Sequence, residues 1–242
     1  MRSLLKRLAS WLPAGAYRSL RRGYVRWRFR QGRFGSQEYE YHILDQLVRP
    51  KDWVLDIGAN FGVYTARFSQ LVGSEGRVIA MEPVHQTFDI LNALVQELPL
   101  RNVTLLNVAC FEKSCVLPLR IPPGNFGMEN LYESALDSNA AGPLALCLSV
   151  DALQLPERVA VAKIDVEGAE LQVLRGMTAT LARDRPILIV EWSPGMEKIV
   201  EFLEPFGYKV LSTSGKGKTP EGYEQLNYVF RADVTASPAP PV

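Results

Sequence analysis

Nine residues constrain this chain most: Val54-Leu55-Asp56-Ile57-Gly58-Ala59-Asn60-Phe61-Gly62. A short apolar run without helical period passes into small residues, then into an amphipathic stretch over 62–72. That order reads as a buried strand, a glycine-rich turn and a helix. The turn lets a ligand approach the backbone closely, and the helix start offers unpaired N–H groups to it.

The same alternation recurs downstream. Apolar runs at 76–82, 103–109, 160–165 and 186–191 read as strands, with final strands at 208–212 and 226–231. Helical periods fill 85–97, 168–182 and 195–205. Strands alternating with helices of this length predict an α/β fold, a mostly parallel sheet with helices on both faces. Residues 110–158 break the pattern and predict an insertion over the ligand edge, with room for a strand pair of its own. Long irregular segments in compact domains usually serve function. The domain is expected over 36–233, with 234–242, rich in Pro and Ala, as a disordered tail.

The turn also selects among ligands. Asn60 stands where a dinucleotide fingerprint requires its second glycine, so a pyrophosphate loses its close backbone approach. Glu82 ends the next strand, 24 residues after Gly58. A carboxylate there accepts hydrogen bonds from both hydroxyls of a ribose. A nucleoside without a pyrophosphate satisfies both facts, and S-adenosylmethionine is one. Asp56, Gly58, Ala59, Asn60, Gly62, Thr65, Glu82 and Pro83 are the expected contacts. An NAD-dependent oxidoreductase is the alternative enzyme class, and a non-catalytic nucleoside-binding docking module the alternative to an enzyme.

Five segments together resemble the FkbM-type family of S-adenosylmethionine-dependent methyltransferases: DIGANFGVYT (56–65), VIAMEP (78–83), LSVDAL (148–153), KIDVEGAE (163–170) and ILIVEW (187–192). The resemblance covers about residues 38–231. It implies the class I methyltransferase (Rossmann-like) sheet, seven strands in the order 3-2-1-4-5-7-6 with the last antiparallel. It also implies O-methylation of a small molecule: a hydroxyl of a sugar, glycolipid or secondary metabolite. By the same resemblance, Cys110 and Phe111, at the end of the third strand, fall where adenine is contacted.

Methyl transfer is an in-line displacement at a sulfonium carbon, so the enzyme chiefly aligns acceptor and methyl group. An alcohol, with a pKa of about 16, also needs a base or a metal ion. Asp165 and Glu191 end the fourth and fifth strands and should face one crevice. Glu167 lies two residues beyond Asp165. These three are the candidate catalytic residues. Asp165 and Glu191 are candidate ligands for Mg²⁺, a hard cation served by oxygen. Alternatively, Glu167 and Glu170 cap the next helix, where negative charge is favourable. Lys163 is a partner for one of these acids. Asn125 is a candidate acceptor contact, His85 lies near the nucleoside, and His42 reaches the crevice only if residues 36–46 fold over it.

Charge is unevenly spread. Residues 1–35 hold ten of the 27 basic side chains and no acid, leaving 17 basic against 26 acidic residues in the remainder. Leu4, Leu5, Leu8, Trp11 and Leu12 share one helical face, and Tyr17, Leu20, Tyr24 and Trp27 recur at helical spacing. An amphipathic arm of this kind either packs on the acidic body or contacts an anionic membrane surface. No nucleic-acid-binding motif accompanies it. Three cysteines without a C-x-x-C support neither a disulfide framework nor a zinc ribbon. Lys6 and Arg7 interrupt what would be a signal-peptide core. No apolar run approaches the ~18 residues of a membrane span. The expectation is a cytoplasmic protein, peripheral at the inner membrane surface if the arm binds lipid.

Overall fold

A computed structural model of the chain describes residues 34–123, 130–212, 217–218 and 224–233, with positions 19, 22–25, 27, 28 and 31 of the N-terminal stretch. Two short helices, α1 (Tyr39–His42) and α2 (Leu44–Leu47), lead into β1 (Trp53–Ile57). α3 (Val63–Val72) returns the chain to β2 (Arg77–Met81), and α4 (His85–Glu97) to β3 (Val103–Leu106). Four strands then leave this layer: β4 (Ala109–Cys110), β5 (Cys115–Arg120), β6 (Ala135–Leu136) and β7 (Leu144–Leu148). The chain re-enters at β8 (Val159–Ile164), followed by α5 (Glu170–Arg175), α6 (Thr178–Asp184), β9 (Ile187–Glu191) and α7 (Met196–Leu203). It continues through β10 (Tyr208–Ser212), the small pair β11 (Gly217–Lys218) and β12 (Glu224–Gln225), and β13 (Asn227–Ala232).

The main sheet has the order β10-β13-β9-β8-β1-β2-β3. β13 runs antiparallel to both its neighbours, and the other pairs are parallel. Counted along this sheet alone, the order is the expected 3-2-1-4-5-7-6. All six residues of β8 are buried, as a strand covered on both faces requires. On one face Val173, Leu174, Met177, Leu181 and Ile199 pack against Leu55, Ala162 and Leu188. On the other, Leu44, Tyr64 and Phe68 pack on Val54, Val161 and Ile189. Each such large apolar side chain contributes about 1.5–3 kcal/mol. The strand order reverses at β1, so the carboxyl ends of β1 and β8 open into the crevice where such sheets bind ligands.

Three local expectations need correction. The third strand ends at Leu106, not Ala109. Asn107 turns the chain out of the sheet, its Nδ2 donating to the carbonyls of Glu82 (2.8 Å) and Pro83 (3.2 Å). Ala109–Cys110 then joins a second sheet, so Cys110 and Phe111 do not end the third strand. The insertion is more than a strand pair: it holds four strands in the order β4-β7-β5-β6. Finally, the helix expected over 168–182 is two helices broken at Gly176. Gly176 lies against the Phe111 carbonyl, which an added Cβ would meet at 2.0 Å. Asp151, in the LSVDAL segment, caps the second of them: Oδ2 accepts from Ala179 N (2.8 Å), and Oδ1 from Thr180 N (2.9 Å) and Thr180 Oγ1 (2.7 Å).

Residues 22–25 and 27–28 are helical. Val25 is buried with Phe61, Ala66, Ile90 and Leu94, and Arg22 reaches Asp89 at 3.5 Å. Tyr24 and Trp27 stack at 6.1 Å and are about half exposed. The expected helical face at residues 4–12, Asn125 and the tail 234–242 lie outside the described residues. Among the described residues no helix is long and apolar enough to cross a membrane.

Candidate active site

Two backbones meet at the carboxyl edge. Gly58 N and Ala59 N donate to the Met81 carbonyl (2.9 and 3.0 Å), and Asp165 N donates to the Ile57 carbonyl (3.0 Å). Gly58 has φ +80° and an added Cβ would fall 1.7 Å from the Asp165 carbonyl oxygen. Only glycine satisfies both the backbone angle and the contact. Asn60, at φ 48°, turns its N–H onto Glu82 Oε2 (2.9 Å). Val84 N donates to Glu82 Oε1 (2.8 Å). The Glu82 carboxylate is therefore fixed at both oxygens, and each keeps a second lone pair for a ligand hydroxyl. Burial pushes its pKa up to about 7, against those two N–H bonds.

Two adjoining cavities share Gly58, Asn60 and Asp165 in their walls. The first runs from Glu82 and Pro83 past Cys110 to Leu119, Leu131 and Leu136, so the insertion forms its far wall. The second is lined by charge: Arg28, Glu38, Asp56, Lys163 and Asp165, with Tyr64 and Phe61.

Lys163 organises the charge. Its side chain is 2% exposed, and Nζ lies 2.6 Å from Asp165 Oδ2 and 4.5 Å from the centre of the Tyr64 ring. Burial opposes its positive charge, but Asp165, Asp56 and Glu38 outweigh burial and hold its pKa above the ordinary lysine value. Asp56 is fully buried; Oδ2 accepts from Thr65 Oγ1 (2.5 Å), while Oδ1 has no partner. Burial raises its pKa, and Lys163 works against that rise. Tyr64 Oη donates to Glu38 Oε2 (2.6 Å), which also accepts from Asn227 Nδ2 (3.0 Å).

Asp165, Glu167 and Glu191 come together, with one carboxylate oxygen from each within 4.8 Å of the others. Burial and the Asp165 carboxylate push Glu191 up to about 9. Partial burial and the Asp165 charge push Glu167, at the exposed rim, up to about 7. Glu167 holds φ 54°, a conformation non-glycine residues seldom adopt. The capping alternative belongs to Glu170 instead: Oε1 accepts from Gly168 N (2.9 Å) and Oε2 from Ser193 Oγ (2.9 Å). The three oxygens are the donor type Mg²⁺ prefers. However, the Lys163 ammonium already sits on Asp165 Oδ2 at 2.6 Å, so an ion there would compete with it for that carboxylate.

The other expected contacts divide. Gly58, Asn60, Glu82, Pro83 and Cys110 line the first cavity; Asp56, Gly58, Ala59 and Asn60 line the second. Gly62 and Thr65 line neither. Gly62 is the left-handed N-cap of α3, where a Cβ would strike Leu91 at 2.6 Å, and Thr65 is buried beneath Asp56. Cys110 is a buried thiol 3.1 Å from Met81 Sδ, pushed up to about 12 by burial, so it serves as a wall and not as a nucleophile. Phe111 lines neither cavity. His85 is exposed at the start of α4, and His42 is exposed with Nε2 3.1 Å from the Ser36 carbonyl; neither lines a cavity. Sequence reasoning missed Glu38, Tyr64 and Asn227. Tyr64 was legible only as a helix residue, and Glu38 and Asn227 carry no local signal.

The methyltransferase FkbM domain matches residues 56–210 of the chain. The chain belongs to that family. Its fold and family are those of S-adenosylmethionine-dependent methyltransferases, and this decides against the NAD-dependent alternative. The FkbM chain is also 26% identical over 206 residues to Methyltransferase sdnD of Sordaria araneosa, covering 70% of this chain and 78% of that protein. It superposes on the crystal structure of Methyltransferase FkbM from Methylobacillus flagellatus KT with a TM-score of 0.53 at 15% identity, over 77% of this chain. This chain matches 48% of that protein, about half its length.

Proposed function

We propose that this FkbM protein transfers the methyl group of S-adenosylmethionine to a hydroxyl of a sugar, glycolipid or secondary metabolite. The observation that carries the reading is the carboxylate group of Asp165, Glu167 and Glu191, within 4.8 Å of one another beside the wall shared by the two cavities. Glu82 and Cys110 would hold the adenosine and the charged cavity the methionyl group, which would bring the sulfonium to that shared wall. An acceptor oxygen then attacks the methyl carbon in line, the sulfur–carbon bond breaks, and S-adenosylhomocysteine departs. The hydroxyl proton passes to a carboxylate. Asp165, oriented by Lys163, is our choice for that base, with Glu191 and Glu167 as neighbours whose raised proton affinity discourages three simultaneous negative charges. Mg²⁺ at Asp165 and Glu191 would instead lower the hydroxyl pKa directly. The basic segment 1–35 fits peripheral contact with an anionic membrane, which favours a membrane-associated glycan precursor as acceptor.

The test is calorimetric titration with S-adenosylhomocysteine, with NADH in parallel, then an acceptor panel with and without Mg²⁺. Binding of S-adenosylhomocysteine alone and transfer to a hydroxyl acceptor are expected. Cofactor binding with methyl transfer only to nitrogen acceptors would overturn the O-directed reading. Transfer abolished by a chelator and restored by Mg²⁺ would move the activating role from base to metal.

A further inference from the structure

The charged cavity contains an acceptor surplus. Asp56 Oδ1 and Asn60 Oδ1 are buried, and neither has a hydrogen-bond partner. Both residues line this cavity. An unsatisfied buried acceptor costs about 1–3 kcal/mol, more if charged, so these oxygens call for N–H donors from a ligand. Among the described residues two cations line the cavity, and of these the Lys163 side chain is only 2% exposed, too deeply buried to meet a ligand carboxylate. Arg28 is half-buried in the same wall and lies ahead of the stretch that the family model matches, residues 56–210. Its segment is held in place nearby: Val25 is buried against Phe61, Ala66, Ile90 and Leu94. A group bearing an ammonium for the two oxygens and an anion for Arg28 is an α-amino acid. The methionyl end of S-adenosylmethionine is such a group, and its adenosine reaches the first cavity past Gly58 and Asn60.

We propose that Arg28 binds the methionyl carboxylate of S-adenosylmethionine, so that the N-terminal segment is part of the cofactor site. Its planar guanidinium matches a carboxylate in a two-bond fork, which lysine does not reproduce. The proposal rests on the cofactor reading above, and the experiment separates the two. Wild type, Arg28→Ala and Arg28→Lys are titrated with S-adenosylhomocysteine and with 5′-methylthioadenosine, which keeps the nucleoside and thioether but lacks the amino-acid group. Arg28→Ala should weaken S-adenosylhomocysteine by about tenfold or more and change 5′-methylthioadenosine by less than about twofold, with Arg28→Lys between. Unchanged S-adenosylhomocysteine affinity overturns the proposal while leaving the cofactor reading intact. Equal weakening of both ligands also overturns it, because the segment would then act only by supporting the fold. Intact S-adenosylhomocysteine affinity with a raised acceptor KM would assign Arg28 to the acceptor instead. Wild type that binds neither ligand removes the cofactor reading and this proposal with it.

Discussion

A carboxylate that is to accept from two hydroxyls, the role proposed for Glu82, must first be held still, and Glu82 is held by the N–H groups of Asn60 and Val84. The same burial that orients it raises its pKa from 4.5 to about 7. Between those values the folded protein keeps a proton that the unfolded chain has lost. The stability Glu82 contributes is therefore present below pH 4.5 and declines as pH rises to about 7. Ribose hydroxyls donate to the ionised form, so cofactor binding should release about three quarters of a proton near pH 6.5 and tighten as pH rises toward about 7. Calorimetry in buffers of different ionisation enthalpy measures this, and absence of proton release would remove Glu82 from ribose recognition. At Asp165, substitution to Asn should cut transfer by about 100-fold or more while S-adenosylhomocysteine affinity stays within about threefold. Lys163 then loses its nearest carboxylate, and urea denaturation should show a loss of about 3 kcal/mol. Turnover near wild type would exclude Asp165 as the base. The meeting of Asp56, Gly58, Glu82, Asp165 and Glu191 at one edge of the sheet was legible, because each sits at or beside the end of a recognisable strand. Glu38, Tyr64 and Asn227 were not, because they meet only across 26 and 189 positions of sequence.

At the scale of elements, most strands and helices were legible from periodicity, since burial on one face or two writes itself into spacing. The exceptions share a cause. The break between α5 and α6, the early end of β3 and the four-stranded insertion all follow from the chain at 109–111 crossing over Gly176 and pairing with β7. Gly176→Ala places a methyl group 2.0 Å from the Phe111 carbonyl. Overpacking of this kind should destabilise the protein by about 1–3 kcal/mol. Because the insertion walls the first cavity through Leu119, Leu131 and Leu136, cofactor affinity should fall as well. Denaturation midpoints and the same calorimetric titration check both, and a variant with normal stability would mean the two segments separate at little cost.

For the whole molecule, the basic N-terminal segment has two parts. Among the described residues, Arg22, Val25 and Phe34 pack on the domain, and Arg28, Gly35 and Ser36 line the charged cavity. Deleting residues 1–35 should therefore weaken S-adenosylhomocysteine binding and lower stability, since Val25 leaves its apolar site. Removing residues 2–18 alone keeps Arg22, Val25 and Arg28 in the chain. The full chain should co-sediment with anionic vesicles at low salt and dissociate near about 0.5 M salt, whereas the shorter deletion should not bind. Equal sedimentation of the two would place the membrane contact elsewhere or nowhere.

The sequence by itself determined the class of fold, the central strand-turn-helix, and which acids gather at the carboxyl edge of the sheet. These are local matters: they depend on period, on a glycine where no side chain fits, and on which residue ends a strand. Only the tertiary structure decided that Lys163 lies among Asp56, Asp165 and Glu38, that Asp56 Oδ1 and Asn60 Oδ1 stay without donors, and that Arg28 lines the same cavity. The reason is that electrostatics and hydrogen-bond satisfaction depend on distances across the fold, which no spacing along the chain encodes.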